Sequence, residues 1–176
     1  MKHVRILSTG GYLPGDPISN EELAQLVGPL PPDILEGIQV RTRHWMVDTA
    51  TGDHNETNCD MAYKAVKQAL DRAGVEPAQV ELLVLCTASP DYLLPPEATF
   101  VQDRLGLQRC ATLEIRSGCA GTGEGLDVAR LYLERGIYRT AVVAGCETIS
   151  PLLVPMFRYG WINEPTLETT TSSEKL

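Results

Sequence analysis

Residues 111–123 read ATLEIRSGCAGTG, and this stretch decides the fold. The run 111–115 has the character of a strand. The small residues Ser117, Gly118, Ala120 and Gly121 then surround a single thiol, Cys119. From Cys119 to Arg135 the spacing is helical, and Gly136 closes the helix. A sharp strand-to-helix turn needs small neighbours, because two backbones approach closely there. The turn sets the Cys119 sulfur at the amino end of the helix. Unpaired N–H groups and the positive end of the helix dipole favour a thiolate at that place. A thiolate attacks a thioester readily and leaves readily, which suits a transient acyl carrier. On local spacing alone a second reading stands beside this one, since a lone cysteine in an α/β protein often serves as a small buried hydrophobe.

Working outward, the pattern alternates strand and helix. VELLVLCTA, 80–88, and TAVVAG, 140–145, are continuous apolar runs of the kind found in strands buried on both faces. HVRILST, 3–9, reads as a further strand that ends at Gly10 and Gly11. Thr57 or Asn58 opens a helix to about Ala73, with Ala62, Ala65, Val66, Ala69 and Leu70 on one stripe and Gly74 as its stop. Pro95 and Pro96 open another helix, which runs through Leu105 to Gly106. Ser19 or Asn20 caps a short helix, NEELAQLV, ended by Gly28 and Pro29. Residues 29–56 read as an irregular excursion. Such alternation indicates an α/β sheet with helices on both faces. After residue 146 the alternation stops, and 151–176 reads as a loop or tail rich in Thr and Ser.

Composition narrows the function classes. The chain has 176 residues and a formal charge of -8. That charge argues against nonspecific binding to nucleic acid or to an anionic membrane, both of which need excess positive charge. The opening apolar run is too short for a membrane span or a signal-peptide core. The five cysteines, Cys59, Cys86, Cys110, Cys119 and Cys146, are far apart and form no CxxC pair. Neither a zinc cluster nor a disulfide framework is expected, and free thiols in a reducing cytoplasm are the simpler reading. Cys59, Cys86, Cys110 and Cys146 read as inert buried thiols. His3, His44 and His54 read as surface or structural residues. Asp48, Asp53, Glu56 and Asp60 miss the calcium-loop spacing and read as a solvated loop. Gly121-Thr-Gly123-Glu-Gly125 does not fit the dinucleotide fingerprint.

The order of features resembles the amino-terminal half of the β-ketoacyl-acyl-carrier-protein synthase III-like family, within the thiolase superfamily. GGYLP near the start is similar to that family's opening. VRTRH, 40–44, resembles its Arg/His segment. ELLVLCTASPDYLLPPEATFVQDRLGL, 81–107, matches a strand, a proline-containing loop and a helix in spacing. GCAG, 118–121, matches the segment around the catalytic cysteine, and VVAGCET, 142–148, resembles the strand that follows. The resemblance covers about residues 4–150.

It implies one half of a layered αβαβα fold, with a half-domain over 1–150 and 151–176 leading to a missing second half. It implies that Cys119 takes an acyl group from a carrier thioester and that its own backbone amide donates to the oxyanion. The acyl group then passes to a malonyl-carrier carbanion, with a His and an Asn from the second half. No cofactor or metal is implied, because the acyl thioester on carrier protein or coenzyme A is itself the substrate. The implied partners are an acyl carrier protein, the second half of the fold and a second copy in a homodimer. Two alternatives stay open: acyl transfer to a hydroxyl or amine, and a non-catalytic half that scaffolds a partner subunit.

The chain departs from the family pattern at the adenine-bracketing pair. Asp33 and Gly37 fall where a Trp and an Arg are common, and Trp45 comes too late to replace them. A carrier-borne donor is therefore expected over coenzyme A. Leu94 falls where the family's acyl-pocket loop often has a bulkier aromatic, and reads either as a wider pocket or as a loop anchor. Arg41 is the further substrate-binding candidate.

Overall fold

The computed structural model describes residues 3–46, 48–51, 53 and 56–150. They form two compact units. The smaller comprises the described residues between 14 and 53 together with Ile149 and Ser150. The larger comprises the described residues up to Leu13 and Glu56–Thr148.

In the smaller unit, β1 (Ile18–Ser19) leads straight into α1 (Asn20–Val27). Ser19 and Glu22 form a capping box: Glu22 N–H donates to Ser19 Oγ at 3.2 Å, and Ser19 N–H donates to Glu22 Oε2 at 2.7 Å. A second helix, α2 (Pro32–Ile38), follows, and then β2 (Thr42–Arg43), which pairs antiparallel with β1. The stretch expected to be irregular over 29–56 thus holds a helix and a short strand. The sequence hides α2 because it starts behind Pro31 with no side-chain cap. It also stops at Gln39, a non-glycine residue at φ 53°, so the usual start and stop signals are missing. Leu23, Trp45 and Met46 are buried in this unit.

The larger unit is a three-layer sandwich. A 16-residue helix, α3 (Asn58–Ala73), begins at the Thr57–Asp60 capping box and ends at Gly74 in the left-handed region. The central strand β3 (Leu82–Cys86) is followed by α4 (Glu97–Leu105), β4 (Ala111–Ile115), α5 (Gly121–Glu134) and β5 (Ala141–Gly145). The sheet is parallel in the order β4-β3-β5, with Leu82 level with Ala111 on one side and Ala141 on the other. All five residues of β3 are buried, as the apolar run requires. Its side chains alternate between two cores. Leu83 and Leu85 pack with Cys59, Ala62, Val66 and Leu70 of α3 and with Val101 and Leu105 of α4. Leu82, Val84 and Cys86 pack on the other face with Ala129 of α5.

Residues 3–9, expected to be a strand, carry none. A strand needs a ladder partner, and this segment joins neither edge of the three-stranded sheet. It is tied to α3 instead. Ser8 Oγ donates to Ala69 O at 2.6 Å, Arg72 Nη1 donates to Thr9 O at 2.9 Å, and Gly10 lies so close to Ala65 that a Cβ would stand 2.2 Å from its carbonyl oxygen. Val4, Ile6 and Leu7 remain exposed. The tail 151–176 lies outside the described residues.

Candidate active site

Parallel strands put all their carboxyl ends on one edge, and ligand sites of α/β sheets gather there. Here three loops leave that edge: 87–96 after β3, 116–120 after β4, and 146–148 after β5. The middle loop carries Cys119. Ser117 lies at φ -110°, ψ 22°, and Gly118 at φ 52°. The left-handed Gly118 turns the chain without a Cβ penalty. A 3₁₀ turn, Gly118–Ala120, then runs into α5, so Cys119 stands at the helix entrance. Its side chain is exposed. Among the described residues, no acceptor takes the Cys119 N–H, which leaves that amide free to donate to an incoming oxygen.

Glycines let α5 lie deep against the sheet. A Cβ at Gly121 would meet Cys86 Cβ at 3.3 Å, and one at Gly125 would meet Cys86 Sγ at 2.6 Å. At the end of β5, a Cβ at Gly145 would stand 2.2 Å from Thr122 Oγ1. The helix entrance is thus pressed onto the ends of β3 and β5, which fixes where Cys119 emerges.

The other two loops are knitted together by polar groups. Asn58, wholly buried, donates from Nδ2 to Thr87 Oγ1 and to Ser89 O, each at 2.8 Å. Glu147 accepts from the Ala88 and Ser89 amides at 2.8 and 3.1 Å. Ser89 in turn accepts from the Thr148 amide at 2.8 Å. Thr87 N–H donates to Ile115 O, and Cys146 N–H to Cys86 O, each at 3.0 Å. Asp91 caps α3 by accepting from the Asn58 and Cys59 amides at 2.9 Å.

The remaining thiols differ from Cys119 in setting. Burial pushes Cys146 up to about 12, with Glu97, Glu147 and Asp91 adding negative charge nearby, and it pushes Cys110 up to about 11. Burial also raises Cys59 and Cys86 above the ordinary thiol value. None of these four is exposed, whereas Cys119 is.

The other expected site residues fall in separate places. Leu94 sits at the tip of the 87–96 loop and is 83% exposed. Arg41 is exposed and belongs to the smaller unit, just before β2. Asp33 and Gly37 lie four residues apart on α2, both exposed, while Trp45 is buried in that unit. His3 is exposed. The His44 Nδ1 lies 3.1 and 3.2 Å from the carbonyl oxygens of Pro14 and Gly15, a structural contact. His54 lies outside the described residues. Among the described residues, no group of three His, Cys, Asp or Glu is placed to hold a metal ion, and no helix is long and apolar enough to cross a membrane.

Sequence reasoning passed over Asn58, Glu97, Glu114, Arg116 and Glu147 as members of the site's framework. Asn58 reads as an ordinary helix-start residue and Glu97 as an ordinary first-turn acid. Only their burial reveals them.

Comparison with known proteins matches this picture. No protein-family model matches the chain. The β-ketoacyl-[acyl-carrier-protein] synthase III of Neisseria meningitidis serogroup C is 34% identical over 154 residues, which is 87% of this chain and 46% of that protein. The protein of the same name from Rhodospirillum centenum is 38% identical over 148 residues, 84% of this chain and 44% of that protein. The chain therefore spans about half the length of the curated relatives it matches. Among solved structures, the tetronic acid condensing enzyme AbyA1 is 39% identical with a TM-score of 0.74, over 81% of this chain and 43% of that one. The 3-oxoacyl-[acyl-carrier-protein] synthase III of Aquifex aeolicus is 28% identical with a TM-score of 0.73, over 82% of this chain and 45% of that one. With a cysteine at a glycine-lined strand-to-helix elbow on a three-layer parallel sheet, most of this chain is similar in sequence and in fold to about half of the β-ketoacyl-[acyl-carrier-protein] synthase III proteins, which are of thiolase fold.

Proposed function

We propose that the chain supplies the acyl-accepting part of a ketosynthase III-type condensing enzyme. Cys119 attacks the thioester carbonyl of an acyl carrier protein, and the carrier thiol leaves. The acyl group then passes from the Cys119 sulfur to the carbanion formed as a malonyl-carrier thioester loses carbon dioxide. The free Cys119 amide is a donor to the oxyanion of the tetrahedral intermediate. The thioester provides the activation, so the reaction draws on no metal. One observation carries the reading: an exposed thiol at the helix entrance, at the carboxyl edge of the sheet, in a chain similar to synthase III proteins over most of its length.

The remaining groups for decarboxylation, a His and an Asn, come from a second half of the fold, and the complete protein is a homodimer. The larger unit supports a completing partner. Its strands β4 and β5 are only half-covered, and α5 and the turn after it leave Leu126, Leu131 and Ile137 exposed. The donor is carrier-borne rather than coenzyme A, because the exposed pair Asp33 and Gly37 offers neither an aromatic ring nor a cation to an adenine.

The test is product formation by the completed enzyme. With acyl-carrier and malonyl-carrier thioesters it should release carbon dioxide and form a 3-oxoacyl thioester, and Cys119→Ala should form none. Formation of an ester or amide instead, or an unchanged rate in the variant, contradicts the reading. Acyl groups on carrier protein should show a higher kcat/KM than the same groups on coenzyme A, and the reverse order contradicts the donor assignment.

A further inference from the structure

Asn58 opens α3 and is wholly buried. Its Nδ2 donates to Thr87 Oγ1 and to Ser89 O, each at 2.8 Å, and lies 3.5 Å from Cys146 O. Carbonyl oxygens on that side require the amide nitrogen there, which fixes the orientation of the side chain. Asn58 Oδ1 is buried with no hydrogen-bond partner among the described residues. A buried unpaired acceptor costs stability, and an apolar residue would be free of that cost. What Asn58 supplies is a donor with two protons. The residue is held from behind as well. Asn58 N–H donates to Asp91 Oδ1 at 2.9 Å, and Asp91 N–H donates to Glu97 Oε2 at 2.6 Å.

The residue it grips, Thr87, is 1% exposed and carries one end of the Cys119 elbow. Thr87 N–H donates to Ile115 O at 3.0 Å, just past the last β3–β4 pair, Cys86 and Ile115. Thr87 Oγ1 also accepts the Ser89 N–H at 3.2 Å. The other end of the elbow, Gly121, rests on the neighbouring residue. A Cβ there would meet Cys86 Cβ at 3.3 Å and Ile115 O at 3.8 Å. Residues 116–120 therefore leave and return to one place, the Cys86–Thr87 exit of β3. Arg116 adds a tie from within the elbow, Nη2 to Leu93 O at 3.2 Å, through a half-exposed side chain. The elbow carries Cys119 and its N–H, and the direction of that N–H follows from where the two ends are held.

We propose that Asn58 is a positioning residue for the oxyanion donor: by holding Thr87 it fixes the elbow so that the Cys119 N–H meets the thioester oxygen. The inference rests on the acyl-transfer reading above. In acylation the Cys119 sulfur bonds to the carbonyl carbon and the carbonyl oxygen takes up negative charge. The carrier thiolate then leaves as the carbonyl re-forms. That transient charge is what needs the amide. Alkylation by iodoacetamide forms a carbon–sulfur bond as iodide leaves, and no oxyanion arises. The two reactions share the thiol and differ in their use of the amide. Asn58→Ala removes the grip. Thr87→Val removes the hydroxyl at nearly unchanged shape, and Thr87→Ser keeps it.

The experiment uses the completed enzyme. Single-turnover acylation of Cys119 over a range of acyl-carrier thioester concentrations gives a maximal rate and a half-saturating concentration. The maximal rate should fall at least about tenfold in Asn58→Ala and in Thr87→Val, while half-saturation changes less than about twofold. Iodoacetamide alkylation of Cys119 should stay within about twofold of wild type in both variants. Thr87→Ser should acylate close to the wild-type rate. Thr87→Val carries the test should Asn58→Ala fail to fold. An unchanged maximal rate overturns the proposal, as does a loss that falls on half-saturation or an equal loss in alkylation. Amide exchange at Thr87 should quicken at least about tenfold in Asn58→Ala and not in Thr87→Ser, and unchanged exchange overturns the grip. Wild-type enzyme that takes no acyl group on Cys119 sinks the acyl-transfer reading, while the exchange measurement still decides the grip.

Discussion

Gly125 of α5 lies against Cys86 of β3 so closely that a Cβ on the glycine would stand 2.6 Å from the cysteine sulfur. The same added atom would meet Val143 Cγ1 at 3.0 Å. The helix that presents Cys119 is therefore seated by the absence of a side chain. Gly125→Ala gains helix propensity, yet forces either the helix or β3 to shift. We expect a net loss on the order of 1–3 kcal/mol, since overpacking outweighs the propensity gain. Cys86→Gly in the same chain should recover part of it, and Val143 limits the recovery. Denaturant unfolding of the four members of this cycle measures the coupling. Simple additivity of the two single changes would show that the contact is not tight.

The thiols give a second prediction. Cys59, Cys86, Cys110 and Cys146 are withdrawn from solvent and their thiols are pushed upward by burial, Cys146 to about 12. Brief iodoacetamide treatment at about pH 8 should alkylate Cys119 first, because both access and thiolate fraction govern the rate. Peptide mass mapping reads the outcome. Earlier alkylation of Cys86 or Cys146 would mean that the sheet edge is more open than described.

Glu97 gives a third. Burial, ahead of its carboxylate neighbours, raises its carboxyl from 4.5 to about 7. The groups facing it are Asp91 and Glu114, Arg116, and the thiols of Cys59 and Cys146. Between those two values the folded chain holds a proton that the unfolded chain has released. Stability therefore falls as pH rises through that window, and the penalty is fully present above it. Glu97→Gln removes the titration. The variant should be more stable than wild type above about pH 8, on the order of 2 kcal/mol, with the gap closing toward pH 4. Melting curves across this range check it. A gap that widens toward acid contradicts the assignment.

Much of this architecture is legible in the sequence because local rules and the fold agree. The apolar run 80–88 contains β3, ATLEI is β4, and the stops at Gly74 and Gly106 end α3 and α4 where expected. The elbow at Gly118 and Cys119 is read from small residues alone. Where the sequence misleads, the missing information is not local. HVRILST alternates like a strand, but strand identity depends on a neighbour, and here Ala69 and Arg72 of α3 hold it instead. The α2 helix lacks a side-chain cap and a glycine stop, so the stretch before VRTRH reads as loop. The framework residues Asn58, Glu97 and Arg116 stay hidden for a related reason. Each is a common polar residue whose role arises only when chain segments 29, 6 and 23 residues apart are brought together.

The central claim is that Cys119 accepts the acyl group. Intact-mass analysis of the completed enzyme, after incubation with an acyl-carrier thioester and no malonyl donor, tests it most directly. The account predicts one added acyl mass, localised by peptide mapping to Cys119 and absent from Cys119→Ala. An acyl mass on any other residue, or one that survives the substitution, would contradict it.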